Sequence, residues 1–512
     1  MPCEDVYPVE NANLYHILRT KFGQRMSQVC LQLSDGSSYS YAELDRWSAS
    51  MAASLAALGA SPGDRVVVQV KKSPAAVALY LACLRGGFVL VPLNTAYTMN
   101  ELEYFIGDAT PKIVVSDPQK QDELRAIVPD GAELLTLGGG DRDLAADPAV
   151  TVDNDSIVER KSSDLAAILY TSGTTGRSKG AMLSHGNLAS NAQTLHQIWG
   201  FQQGDVLLHA LPIFHVHGLF VAINVAMLNS SEILFLEKFT TDGVLEQLPR
   251  ATVMMGVPTF YTRLLESSSF GREQFAHMRL FISGSAPLTE QTFEAFLTHT
   301  GDRILERYGM TETGMITSNP LHGERIAGTV GFALPGVEIR VSDEDGSSLQ
   351  AGEVGTVEVK GPNVFSGYWN MPEKTAQEFR PEGWFITGDL GTVDKEGRLS
   401  IVGRAKDLII SGGYNVYPKE IELCLDSLEE IAESAVVGVP HPDFGEAVVA
   451  VCVASAHKQP DAQVLLQGLD NQLAAFKRPK ALLFTDDLPR NAMGKVQKKQ
   501  LRDRYQDYFV KS

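Results

Sequence analysis

Leu165-Ala166-Ala167-Ile168-Leu169-Tyr170-Thr171-Ser172-Gly173-Thr174-Thr175-Gly176-Arg177-Ser178-Lys179-Gly180 joins two kinds of order in one stretch. The first half is a short, continuously apolar run closed by turn residues, the pattern of a strand buried on both faces. The second half is a loop of hydroxyls, glycines and two cations. Glycines let backbone N–H groups approach an anion closely, hydroxyls add donors, and Arg177 and Lys179 add charge. That is the chemistry of a polyphosphate cradle. It is not a Walker loop, because Gly176 is followed by Arg177-Ser178 rather than by Lys and a hydroxyl. Gly176-Arg177-Ser178-Lys179-Gly180 matches the G-x-S-x-G elbow of hydrolases, yet an elbow needs its serine directly on a strand-to-helix turn. Here the apolar run stops six or more residues before Ser178.

Outward from this loop, helical and extended patterns alternate. Residues 41–58 are Ala/Leu-rich at three-to-four spacing and stop at Gly59; residues 65–70 form a β-branched run; residues 74–84 are helical again, closed by Gly86-Gly87; residues 88–93 are extended. Further apolar runs at 112–116, 164–170, 232–236 and 252–255 continue the alternation. Helices between short buried strands predict βαβ units and mostly parallel sheets. Past Gly331 the texture changes to short strands between Gly-rich turns (337–341, 355–360, 398–402), which predicts a compact antiparallel piece. The last hundred residues return to a mixed pattern, helical over 419–425 and extended over 433–439. The main boundary is placed near Arg404–Asp407, giving an N-terminal unit of 1–404 and a C-terminal unit of 405–512.

At 512 residues the chain is long enough for several folding units without disulfide or metal staples. Lys and Arg number 44 against 62 Asp and Glu, a net charge of −18 that disfavours nucleic acid and anionic membranes as partners. The charge is uneven. From Lys477 to Ser512 ten basic residues face four acidic ones, so this end carries +6 and the remainder −24. Five scattered cysteines with no C-x-x-C pair argue for reduced thiols and against a zinc site. The start, Met1-Pro2-Cys3-Glu4-Asp5, has neither the basic-then-apolar order of a secretory signal nor the Arg-rich make-up of a transit peptide. A cytoplasmic protein, monomeric or weakly dimeric, is the expectation. The longest apolar stretch, 206–228, carries His209, Pro212, His215, His217 and Asn224, so it reads as a buried strand, loop and helix rather than a membrane span. His215 and His217 alternate as on one strand face but have no third ligand nearby, which disfavours zinc.

The loop resembles the signature of the adenylate-forming enzymes, which include acyl-CoA synthetases, adenylation domains and luciferases. Four further stretches resemble that family's motifs in its order: Arg307-Tyr308-Gly309-Met310-Thr311-Glu312, Phe385-Ile386-Thr387-Gly388-Asp389, Gly403-Arg404-Ala405-Lys406-Asp407, and Pro489-Arg490-Asn491-Ala492-Met493-Gly494-Lys495. Residues 93–98, 215–220, 256–263 and 283–288 are similar to the malonate-activating branch, the malonyl-CoA synthetases. Phe214 and Gly314 depart from the Tyr and Asn common there.

The resemblance implies an α/β fold. Its large N-terminal domain has layered mixed and parallel sheets, helices and a small β subdomain, and its small α+β C-terminal domain swivels on a hinge at Lys406. It implies ATP, Mg2+ and coenzyme A as cosubstrates and cofactor, and small molecules, malonate among them, as the only partners. Acid and ATP would give acyl-AMP and diphosphate, and a thiol would then displace AMP. Thr171, Ser172, Gly173, Thr174, Thr175, Gly176 and Lys179 would hold the β- and γ-phosphates, with Glu312 and Thr174 as Mg2+ ligands. Tyr308 would stack on adenine, with Gly284, Ser285 and Ala286 on the other face and Gly309, Met310 and Thr311 beside it. Asp389 and Arg404 would take the ribose hydroxyls. Lys495 would meet the α-phosphate and the attacking carboxylate, and Gly412, Gly413 and Tyr414 the pantetheine. Arg263, Ser285 and His215 would line the acyl pocket. An acyl-CoA ligase for an aryl or medium-chain acid, and an adenylation domain loading a carrier protein in trans, share most of these features. One extra methyl is discriminated weakly, so the reading admits methylmalonate.

Overall fold

Four sheets carry the chain in the computed structural model, which describes residues 11–140, 142–144, 156–171, 178–456, 458–469, 472–491 and 494–509. The apolar runs become strands. A six-stranded sheet has the order Glu133–Thr136, Ile113–Ser116, Arg65–Gln69, Val89–Pro92, Leu165–Thr171, Lys179–Ser184, parallel except for its last pair. A nine-stranded sheet has at its centre Val29–Gln32, Glu232–Phe235, Val206–His209, Val253–Gly256, Leu280–Ser283 and Leu305–Met310, mutually parallel, with antiparallel strands at both edges. Helices fill the layers around these sheets, and one large core cluster joins the two.

Helix ends follow local chemistry. Tyr41–Ala57 starts in a capping box between Ser40 and Glu43. Pro74–Gly86 starts with a Ser73 cap and Pro74 in the first turn, and it ends at Gly87 with φ +67°.

The Gly-rich segment past Gly331 forms a four-stranded antiparallel sheet, Glu338–Ser342, Gly355–Lys360, Phe385–Val393 and Leu399–Arg404. One 3-10 turn, Ala405–Asp407, separates it from the C-terminal sheet, which begins at Ile409. That sheet is built on the long hairpin Ile431–His441 and Gly445–Ala454, with helices Pro418–Asp426 and Lys498–Tyr505 packed against it.

One expectation needs correction. His215 and His217 do not share a strand face. The strand ends at His209, and His217 opens a π-helical turn, His217–Ile223, that runs into the helix Asn224–Asn229. Gly218 fits here because a Cβ would run into the Pro212 carbonyl. The hydrolase elbow, already set aside on sequence, finds no support: the loop joins two antiparallel strands, and among the described residues the first helix after Ser178 begins at His185. Among the described residues no helix is long and apolar enough to cross a membrane.

Candidate active site

In an open parallel sheet, ligands gather at the carboxyl ends of the strands. In the nine-stranded sheet those ends are His209, Gly256, Ser283 and Tyr308 to Met310. The turn Gly284-Ser285-Ala286 follows one of them and bends sharply, with Ser285 at φ +71°. Thr171 at the end of the neighbouring sheet also reaches this edge, its Oγ1 3.3 Å from Glu312 Oε1. Residues far apart in sequence thus meet because strand order, not chain order, brings their ends together.

Tyr308, Asp389 and Arg404 form one cluster. Asp389 and Arg404 are cross-strand partners in the antiparallel sheet, and Arg404 Nε donates to Asp389 Oδ1 at 2.7 Å. The Tyr308 hydroxyl donates to Asp389 Oδ2. Asp389 is almost wholly buried, yet a carboxylate offers about four acceptor positions. Two remain for a vicinal diol, which fits a ribose. Burial works against the charge of Arg404, but Asp389 and then Tyr308 outweigh it and hold its pKa above the ordinary value.

Lys495 stands beside this cluster, on a turn closed by Asn491 N–H to the Lys495 carbonyl at 3.0 Å and Lys495 N–H to Asn491 Oδ1 at 3.0 Å. Gly494, at φ +72°, lies against Thr259 at the start of helix Pro258–Glu266, so the C-terminal loop meets the N-terminal cleft. The Lys495 side chain opens to solvent in that cleft. The protein around it, then the positive charge of Arg404, pushes its pKa down to about 8. A phosphate oxygen would bring the opposite charge and raise the pKa again.

Glu312 is buried, accepts the Thr171 hydroxyl at 3.3 Å and lies 3.1 Å from that of Tyr368. Burial raises its pKa despite those donors and the nearby Lys179. A buried carboxylate with neighbouring hydroxyls and no direct ion pair among the described residues suits a hard divalent cation, which takes oxygen ligands and keeps its waters. The residues present therefore fit Mg2+. Ser172, Gly173, Thr174, Thr175 and Gly176 lie outside the described residues.

Beside the Gly284-Ser285-Ala286 turn lie two histidines and a buried cation that sequence reasoning gave no role. Arg307 is 2% exposed, and its Nε and Nη2 find no hydrogen-bond partner among the described residues. Burial pushes its pKa down to about 10, so it stays charged near neutrality. Adjacent Glu306 does not neutralise it. Strand neighbours alternate faces, and Glu306 turns away to accept the Leu288 N–H at 3.1 Å. The Arg307 guanidinium rests on Gly284, where a Cβ would collide with it. Burial, then the Arg307 charge, depresses both His215, to about 4, and His217. His217 Nδ1 is 3.2 Å from Ser285 Oγ, while its Nε2 has no partner among the described residues. Both rings are neutral near pH 7.

Arg263 differs from this pattern. It is exposed on helix Pro258–Glu266, one turn beyond Thr259 and therefore on the side that meets the Lys495 loop. Gly314 sits at φ +57° with Asn191 Oδ1 2.6 Å from where a Cβ would be, which explains a glycine there. Gly412, Gly413 and Tyr414 are not brought to the cleft. They form a hairpin turn in which Gly412 N–H bonds the Phe444 carbonyl and exposed Tyr414 stacks on Phe476. Lys406 lies in the connecting turn near Asp407, Arg404 and Arg502.

The AMP-binding enzyme family model matches residues 18–369, and the AMP-binding enzyme C-terminal domain model matches 420–495. The chain is similar to malonate–CoA ligase of Arabidopsis thaliana, 36% identical over 87% of this chain and 78% of that protein. It is also similar to feruloyl-CoA synthase of Amycolatopsis sp, 34% identical over 92% and 94%. Against ATP-bound MatB from Rhodopseudomonas palustris the TM-score is 0.95 at 55% identity, covering 98% of this chain and 100% of that one. Against apo MatB, with the same coverage and 54% identity, it is 0.83. Over the whole chain this structure thus superposes more closely on the ATP-bound form than on the apo form. Enzymes of this class use ATP, Mg2+ and coenzyme A. The chain belongs to the AMP-binding enzymes, and within them it is an acid–thiol ligase of the acyl-CoA synthetase type.

Proposed function

We propose that the enzyme ligates malonate to coenzyme A through malonyl-adenylate, releasing diphosphate and AMP, and that it also accepts methylmalonate. The observation that carries the choice of acid is Arg307. A buried guanidinium with two nitrogens unpartnered among the described residues calls for an anion, and the second carboxylate of malonate supplies one. Ser285, neutral His217 and His215, and Arg263 at the rim complete a polar pocket for that group. A monocarboxylic acid would leave Arg307 unpaired, and such sites reject analogues lacking the polar group by about 10⁴-fold. The malonate–CoA ligase and MatB similarities support the same reading.

The first step joins two anions, so the site must neutralise charge and align the attack. In this reading Thr171 to Lys179 grips the β- and γ-phosphates, and Tyr308 flanks adenine opposite Gly284-Ser285-Ala286, with Gly309, Met310 and Thr311 alongside. Asp389 and Arg404 hold the ribose. Lys495, fixed by its Asn491 turn, bridges the α-phosphate and the attacking carboxylate oxygen, where negative charge builds. Glu312 and Thr174 would hold Mg2+, which neutralises phosphate charge when bound. The C-terminal unit, 405–512, then turns about Lys406. That withdraws Lys495 and brings the Gly412-Gly413-Tyr414 hairpin to the cleft for the thiol.

A diphosphate-release assay over malonate, methylmalonate, succinate, acetate and 4-coumarate tests the substrate. Malonate and methylmalonate should turn over, and acetate and 4-coumarate should not. Acetate or 4-coumarate matching malonate would refute the dicarboxylate assignment.

A further inference from the structure

Lys179 opens the strand Lys179–Ser184, and its side chain is only 8% exposed. Its Nζ donates to Glu378 Oε1 at 2.9 Å and lies 4.0 Å above the centre of the Tyr368 ring. Glu378 stands at the end of the short helix Pro372–Gln377, 199 residues away in sequence. The same Oε1 is 2.9 Å from Lys374 Nζ, and Glu378 Oε2 accepts the Tyr368 hydroxyl at 2.6 Å. Burial works against an ionised Glu378, but bonds from Tyr368, Lys374 and Lys179 outweigh it and hold its carboxyl below the usual range. One carboxylate therefore takes two lysines, and one of those lysines is the cation next to the phosphate loop.

We propose that Glu378 is a positioning residue that holds Lys179 as a stand-in for nucleotide phosphate, with Lys374 as its second counter-ion. This inference rests on the reading above, in which Lys179 contacts the β- and γ-phosphates. A buried ammonium without an anion is unfavourable and would lose its proton or its place. Glu378 pairs with the Lys179 ammonium and holds it in place over the Tyr368 ring. A triphosphate brings more charge and more acceptor oxygens than one carboxylate, so Lys179 exchanges partners when the nucleotide arrives. Lys374, which is 27% exposed and one helical turn before Glu378, then keeps that carboxylate paired. Tyr368 has a single hydroxyl proton and stands between Glu378 (2.6 Å) and Glu312 (3.1 Å), so it can donate to only one of them at a time. The shorter contact assigns that proton to Glu378, which steadies the carboxylate after Lys179 leaves.

The test is a pair of variants with effects of opposite sign. Glu378→Gln removes the competing charge while keeping shape. The ATP dissociation constant, measured by calorimetry on the full-length enzyme, should fall by about 3- to 10-fold, and diphosphate should inhibit at correspondingly lower concentration. Lys374→Ala leaves Glu378 to Lys179 alone, so ATP should bind about 3-fold more weakly. If Glu378→Gln folds poorly, Glu378→Ala removes the same charge and should likewise tighten ATP binding, which preserves the contrast in sign with Lys374→Ala. A purely structural role for the cluster would weaken ATP binding in both variants, and that result, or no change in either, overturns the proposal. Lys179→Ala separates the two layers of inference. Unchanged ATP affinity there removes the phosphate role of Lys179 itself, whereas lost affinity with same-sign effects in the pair removes only the stand-in role.

Discussion

The cleft handles its two buried cations in opposite ways. At the acyl end, Arg307 is enclosed with Nε and Nη2 unpartnered among the described residues. At the phosphate end, Lys179 is nearly as enclosed but already bonded to Glu378. The difference matches the ligands each is proposed to meet. A polyphosphate carries enough charge to displace a carboxylate, so a stand-in can be tolerated. A single malonate carboxylate could not outcompete a resident one, so the acyl cation must be left open and the stability cost accepted.

Arg307→Met tests this contrast most severely. Malonate kcat/KM should drop by about 10⁴-fold with ATP affinity near normal. Because an unpaired buried charge is removed, the variant should also be more stable, by about 1–4 kcal/mol in chemical denaturation. Lower stability with retained malonate use would make Arg307 a structural residue. Next in size is Lys495→Ala, which should slow adenylation by about 10²- to 10³-fold. Attack of coenzyme A on pre-formed malonyl-AMP should be spared, and equal loss of both half-reactions would break the two-orientation scheme.

The pH profile supplies a smaller and graded effect. Lys495 is charged below its depressed pKa of about 8 and neutral above it. The kcat/KM for adenylation should therefore decline as pH rises through about 8, by roughly tenfold per unit beyond. The thiol half-reaction should not share that decline. Arg263→Ala should have the smallest effect, about tenfold on malonate KM, because an exposed guanidinium is screened by water. A loss as large as that of Arg307→Met would move the principal counter-ion to the rim.

Much of this layout is written locally in the chain. Parallel strands such as Val253–Gly256 are short apolar runs, and helix starts such as Ser73-Pro74 carry their own caps. The residues at Tyr308, Glu312, Asp389, Arg404 and Lys495 stand in stretches whose resemblance marks them. What escaped is what depends on facing and on distance along the chain. Arg307 lies inside a quoted motif, but whether it or Glu306 turns into the cleft is set by strand register. Glu378 is next to Lys179 only because the chain from Gly355 to Val393 folds back against the strand Lys179–Ser184. The π-helical turn at His217 left no periodic trace, since one extra residue per turn is invisible in so short a segment. Arg263 stood out in sequence, yet its exposure was decided by which side of its helix the core claimed.

Arg404 ends one sheet, and the very next residue begins the turn that contains Lys406. The side chain proposed to sense the ribose and the proposed pivot are two residues apart. Nucleotide departure would be felt at the joint without any relay through the protein interior. The order of events in each turnover would then be enforced by chain connectivity, a form of timing that no rearrangement of the core is needed to transmit.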